Sequence, residues 1–269
     1  MFRKPVVSGR FYPGSKPALL SGIEKLARGF KPERQKVLGA VSPHAGYVYS
    51  GRTAAMTLSK IAPVDTFIIL GPNHTGLGTE ASIMTEGLWE TPLGNVEIDS
   101  KTASAMLSAC KYLEADELAH QSEHSIEVQL PFLQYFFKDF KIVPVCLAAG
   151  DTKVLEAIGK SAAAVVKRTG VSACIIASSD MTHYESAESA KRKDALAITK
   201  LLALDGRGLA ETVRENDISM CGWAPAVAML SAVKELGATK AELVNYSNSG
   251  EESGDFEQVV GYAGIIIGC

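Results

Sequence analysis

The amino-acid sequence predicts an α/β fold: a mostly parallel central sheet flanked by helices on both faces, in a single domain spanning residues 1–269. Three observations carry this expectation. Apolar runs rich in β-branched residues alternate along the chain with segments of helical spacing, as a sheet built through helical crossovers requires. The runs are almost continuously apolar rather than alternating, which suits strands covered on both faces. No linker, repeat or low-complexity tract divides the chain.

In chain order, apolar spacing predicts a helix over 16–30, a strand over 37–42, a helix over 52–61 and a strand over 66–70. Residues 75–98 hold four glycines and a proline, which predicts a long loop with a short hairpin. A helix is expected over 101–112. From His124 an amphipathic helix follows, with Ile126, Leu130, Leu133 and Phe137 on the core and a break at Pro131. Strand 140–147, helix 152–168, strand 173–177 and helix 187–204 come next. The helix over 225–236 starts with Pro225, suited to a first turn, and stops at Gly237, suited to a cap. Strands over 241–246 and 262–267 complete the sheet. Between them, SNSGEESGD at 247–255 is too polar for a core element; it reads as a solvated loop or as a mobile lid beside a site.

Composition narrows the function classes. With 46% hydrophobic and 21% charged residues the chain is a globular protein rather than a disordered or membrane one. Lys plus Arg is 27 and Asp plus Glu is 30, and a net charge of 27 − 30 = −3 argues against nucleic acid as a partner. No apolar run approaches the roughly 20 residues that span a bilayer, and the first residues lack the apolar core of a signal peptide. Cys110, Cys146, Cys174, Cys221 and Cys269 are odd in number and irregularly spaced, which speaks against a disulfide framework or a zinc ribbon. A cytoplasmic protein with reduced thiols is expected.

The chemistry concentrates at strand ends. Of five histidines, three follow directly on a strand: His44 in VSPHAGY, His74 in IILGPNH and His183 in IIASSDMTH. Carboxyl ends of parallel strands form the crevice in which α/β sheets bind ligands. Each histidine alone is explained by a hydrogen bond within its turn, but three at one edge point to a shared site. Pro43, Gly46, Gly71 and Pro72 stiffen the turns that aim His44 and His74. Neutral imidazole is the commonest metal ligand, so the pair suits a metal, with a third ligand from Cys221, Asp180, Glu123 or His124. Cys221 precedes the helix opened by Pro225, where a thiol pKa is expected to fall. In HQSEHS, His124 is expected to face the site and His120 the solvent. Neither GxGxxG after a strand, GxxxxGK[ST] nor GxSxG occurs, which weakens nucleotide-binding and serine-hydrolase readings.

Together GRFYPG, VSPHAGYVYSG, LGPNHTG, EHSIEVQLPFLQ, SSDMTHY, the Cys221 turn and VVGYAG resemble the Memo family, in the family's order from about Gly9 to Gly268. The resemblance implies a class III extradiol dioxygenase-like fold, whose enzymes hold non-haem Fe(II) with two His and a carboxylate. It implies His44, His74 and Cys221 as metal ligands, Cys221 standing where the dioxygenases have their carboxylate. It implies His183 with Asp180 as the acid/base pair, and His124 and Tyr47 as substrate-binding residues. The implied cofactor is a divalent metal, with Fe(II) favoured by the likeness to the dioxygenases and Cu or Zn also suited, since a thiolate is softer than a carboxylate. The implied partners are a small-molecule or peptide ligand, a radical-SAM protein and an AMMECR-type protein.

Three functions fit these expectations. The first is a metal-dependent oxidoreductase of the extradiol type acting on an aromatic or diol-like substrate with O₂, in which His183 moves a proton. The second is a non-catalytic module that captures a peptide or small anion. The third is a metal-handling redox protein that uses Cys221.

Overall fold

The computed structural model describes residues 2–29, 33–148 and 150–269. Four parallel strands form the middle of the main sheet, in the spatial order Gly39–Ser42, Ala173–Ser178, Thr66–Pro72, Lys141–Leu147. Ile68 sits at their centre, paired with Ile175 on one side and Val143 on the other. Every residue of Thr66–Pro72 is buried, which accounts for its unbroken apolar run.

Antiparallel strands extend the sheet on both sides. Val259–Gly268 pairs with Gly39–Ser42, with Lys240–Asn248 and, at its first residues, with His183–Glu185. Ala81–Ile83 pairs with Lys141–Leu147, and Glu114–Ala115 adds to it in parallel. The hairpin expected within 75–98 is Leu88–Thr91 with Gly94–Glu97, and Phe2–Arg3 joins it to make a separate three-stranded sheet.

Helices flank the main sheet. Trp223–Glu235 lies on the parallel strands and is backed by Thr152–Thr169, while Tyr47–Ser59 and Ala187–Leu202 pack on the two C-terminal strands. Trp223–Glu235 starts two residues before the predicted 225. Pro225 therefore sits third in the helix, still within the first turn, where a missing N–H leaves no acceptor unpaired. Gly237 follows it at φ +92°, a left-handed conformation that glycine adopts without strain.

Several boundaries differ from expectation for local reasons. The helix predicted over 52–61 starts at Tyr47, immediately after Gly46, so that it springs directly from the His44 turn. Helix Lys16–Leu26 ends before Phe30, which lies outside the described residues. The stretch after His124 is a 3₁₀ turn, Glu127–Gln129, followed by a new helix, Leu130–Phe136, whose first turn holds Pro131. Ile126, Leu130, Leu133 and Phe137 are all buried, as their spacing predicts. Helix Gly206–Glu215 escaped prediction because two glycines in its first turn lower its propensity; the Asp205 side chain caps it by accepting from Gly208 N–H. The polar 247–255 segment divides into the end of a strand and the single-turn helix Gly250–Ser253, with 251–255 exposed. No helix among the described residues is long and apolar enough to cross a membrane.

Candidate metal centre

The parallel strands Gly39–Ser42, Thr66–Pro72 and Ala173–Ser178 release the chain at one edge, and each turn delivers a polar side chain two residues on: His44, His74 and Asp180. Cys221 arrives from the turn before helix Trp223–Glu235. That turn is seated by Gly222, whose N–H donates to Ser179 Oγ at 3.0 Å. The ligand-type atoms of His44, His74 and Cys221 all lie within 4.8 Å of one another. His44 is buried, Cys221 half-buried and His74 open to solvent, so the cluster is reached from the His74 side.

Hydrogen bonds decide which ring nitrogen of each histidine is free. Ser178 Oγ donates its single proton to the Ser125 carbonyl at 2.7 Å and accepts from Gln129 Nε2 at 2.8 Å. His44 Nδ1, 2.9 Å from the same oxygen, must therefore be its donor. The lone pair is then on His44 Nε2, which faces Cys221 Sγ at 3.3 Å. For His74, Nδ1 donates to Glu123 Oε1 at 2.9 Å, again leaving Nε2 free. Both imidazoles are thus fixed in the tautomer a metal needs.

Glu123 is the hub of this arrangement. Its carboxylate accepts the N–H groups of His74, His124 and Ser125 at 2.6, 2.9 and 2.9 Å. Although burial works to raise its pKa, the hydrogen bond and charge of His74 and these amides hold it at about 2. For His74, burial lowers the pKa, but the same bond and charge outweigh it and raise the value overall. Burial, followed by the neighbouring His124 and His74, pushes His44 well below the ordinary histidine range, so it stays neutral. Asp180 Oδ1 accepts from His44 N–H at 2.8 Å and from Ala45 N–H at 3.3 Å, which fixes the His44 turn. Burial, its largest influence, leaves the Asp180 pKa at about 6.

Four expectations are corrected by these contacts. Burial and the Asp180 charge raise the Cys221 thiol pKa, against the fall expected from its place before a helix. His120 is fully buried rather than solvent-facing, edge-on to Trp89 at 5.9 Å between centroids. Tyr47 is a core residue: its hydroxyl donates to the Val128 carbonyl at 2.8 Å and its ring stacks on Phe132 at 4.3 Å. The imidazole of His183 is oriented by the Ser219 carbonyl, 2.9 Å from Nδ1, while the Asp180 carboxylate is engaged with the His44 turn. His124 does face the cluster, stacked on His74 at 4.8 Å. Phe11 and Gln129 escaped the reading of the sequence. Only the GRFYPG motif hinted at Phe11, whose ring meets His124 edge-on at 4.9 Å.

Comparison with known proteins shows the family and the fold. A family model described as "Memo-like protein" matches residues 3–266. A MEMO1 family protein of Methanosarcina mazei is 46% identical over 266 residues, covering 98% of each chain. A MEMO1 family protein of Methanocaldococcus jannaschii is 42% identical over 283 residues, again covering 98% of each. Among solved structures, an uncharacterized protein of Escherichia coli K12 aligns with a TM-score of 0.54 at 13% identity, covering 86% of this chain and 100% of that one, a likeness of fold alone.

Proposed function

This chain belongs to the Memo family, and we propose that it is a metal-dependent oxidoreductase of the extradiol dioxygenase type, acting with O₂ on an aromatic or diol-like substrate. One observation carries the reading: two imidazoles with their Nε2 lone pairs freed, and one thiol, share a space within 4.8 Å at the carboxyl edge of the sheet. This donor set, held by His44, His74 and Cys221, fits a first-row transition metal; the likeness to the dioxygenases favours Fe(II), and the thiolate also suits Cu or Zn. The bound metal supplies Lewis acidity towards a substrate hydroxyl and a route for electrons to O₂.

The residues around the cluster have separable tasks. Cys221 must release its proton when metal binds, which makes affinity increase with pH. Ser178 and Glu123 hold His44 and His74 in the ligating tautomer. His183 donates Nδ1–H to the Ser219 carbonyl, an oxygen that only accepts, so its Nε2 is free to take a substrate proton. His124 and Phe11 form an aromatic wall beside the accessible His74.

The test is metal stoichiometry of protein purified without oxygen, read beside oxygen uptake with a panel of catechols. One equivalent of metal in the wild type, lost in His44→Ala and Cys221→Ala, with uptake that tracks the metal, is expected. Metal content unchanged by both substitutions would overturn the centre. Metal-loaded protein that consumes no oxygen with any diol would overturn the oxidoreductase reading while leaving the centre intact.

A further inference from the structure

Arg3 is a buried charge far in sequence from the cluster, yet bonded to its frame. On the short strand Phe2–Arg3 it is 1% exposed, with its guanidinium 4.1 Å from the centroid of the Trp89 ring. Nη1 donates to Glu127 Oε2 at 2.7 Å and more weakly to the Lys4 carbonyl at 3.3 Å. Nε donates to the His120 carbonyl at 2.9 Å, and Nη2 to the Glu123 carbonyl at 2.6 Å. Glu127 is equally buried and also accepts from Val6 N–H, Val7 N–H and the Tyr12 hydroxyl, at 2.9, 3.1 and 2.6 Å.

A buried ion pair is a weak source of stability, because desolvation offsets most of the attraction. What the rigid fork of an arginine does well is fix positions, since its donors lie in one plane at set angles. Here those donors span the segment from His120 to Glu127, and Glu123 is in the middle of it. The Glu123 carbonyl is held by Arg3, and its carboxylate holds the backbone and ring of His74. A carboxylate that also accepts the neighbouring amides of His124 and Ser125 cannot move independently of its own backbone.

We infer that Arg3 is a positioning residue for the metal centre: by fixing the backbone at Glu123 it sets where His74 presents its free Nε2. The inference rests on the metal-centre reading above. It makes the start of the chain a determinant of metal affinity without its touching metal or substrate.

Cobalt(II) is a suitable probe, added to the full-length protein freed of metal and followed by its thiolate charge-transfer and ligand-field absorption. Arg3→Lys keeps the charge but loses the fork. The expected result is about 10–100-fold weaker Co(II) binding, the usual effect of removing an outer partner of a ligand, with displaced ligand-field bands. Arg3→Met/Glu127→Met removes both charges together and should show the same loss and displacement; it decides the matter where Arg3→Lys does not fold. Val165→Ala, a buried change in the helix Thr152–Thr169, controls for stability alone and should bind Co(II) as the wild type does. Wild-type affinity and spectrum in the folded Arg3 variants would overturn the positioning role. So would an equal loss in Val165→Ala. A wild type that develops no Co(II) absorption would overturn the metal-centre reading, and the role of Arg3 with it.

Discussion

Glu123 holds His74 twice, accepting its backbone N–H at 2.6 Å and its ring Nδ1–H at 2.9 Å. The first contact places the residue and the second selects its tautomer. Glu123→Gln preserves the shape and an acceptor oxygen but removes the charge that makes His74 a stronger base. Metal affinity is expected to fall about 10–100-fold, and the melting temperature to fall with it, since the new amide NH₂ faces an N–H that the carboxylate accepted. Metal titration beside thermal unfolding checks this; unaltered affinity would make Glu123 a purely structural residue.

The imidazole of His183 is anchored by the Ser219 carbonyl, 2.9 Å from Nδ1, rather than by a residue of the cluster. His183→Ala should therefore keep bound metal while turnover drops by about 10²–10⁴-fold, the usual contribution of a positioned acid/base. His74→Ala should lose metal and turnover together. Metal stoichiometry and oxygen uptake measured on both variants separate the roles, and loss of metal from His183→Ala would place that residue among the ligands.

Gly222 seats the Cys221 turn against the strand end at Ser178 and Ser179. A Cβ at this position would overlap the Ser178 carbonyl oxygen and the Ser179 Cβ. Backbone and a short side chain cannot swing aside, so Gly222→Ala must displace the turn. Overpacking of this kind costs about 1–3 kcal/mol, and the displacement carries Cys221 away from His44. A lower melting temperature and loss of the thiolate-to-Co(II) band are expected together. A retained band would show that the turn adapts without moving the sulfur.

His120 gives stability a pH dependence of known sign. Burial, reinforced by the positive charge of Arg3, lowers its pKa from 6.5 to about 4, against weaker opposing effects of Asp116 and Glu123. Between those values the unfolded chain binds a proton that the folded chain does not, so stability falls as pH drops through the window. The difference amounts to about 3 kcal/mol at its lower end, at 1.36 kcal/mol per unit. Denaturant unfolding between pH 7 and 4 should show His120→Gln losing less stability than the wild type. Parallel curves for the two proteins would show that His120 does not carry the effect.

The sequence by itself determined the layered fold and the edge at which chemistry occurs. Burial on both faces forces parallel strands such as Thr66–Pro72 to be apolar throughout, so they stand out in a single chain. The turn after each strand must then lie at the carboxyl edge, which is why His44 and His74 were legible as a pair. The Pro and Gly residues beside them are local cues too. Other features were decided only by the tertiary structure, because they are contacts between distant parts of the chain. The tautomer of His44 depends on Ser178, 134 positions away, and the frame around Glu123 on Arg3, 120 positions away. The burial of His120 and the raised thiol pKa of Cys221 follow from what packs over them, against the local cues of a polar HQSEHS and a helix start. Desolvation and long-range hydrogen bonds are properties of the assembled neighbourhood, and no spacing within a segment encodes them.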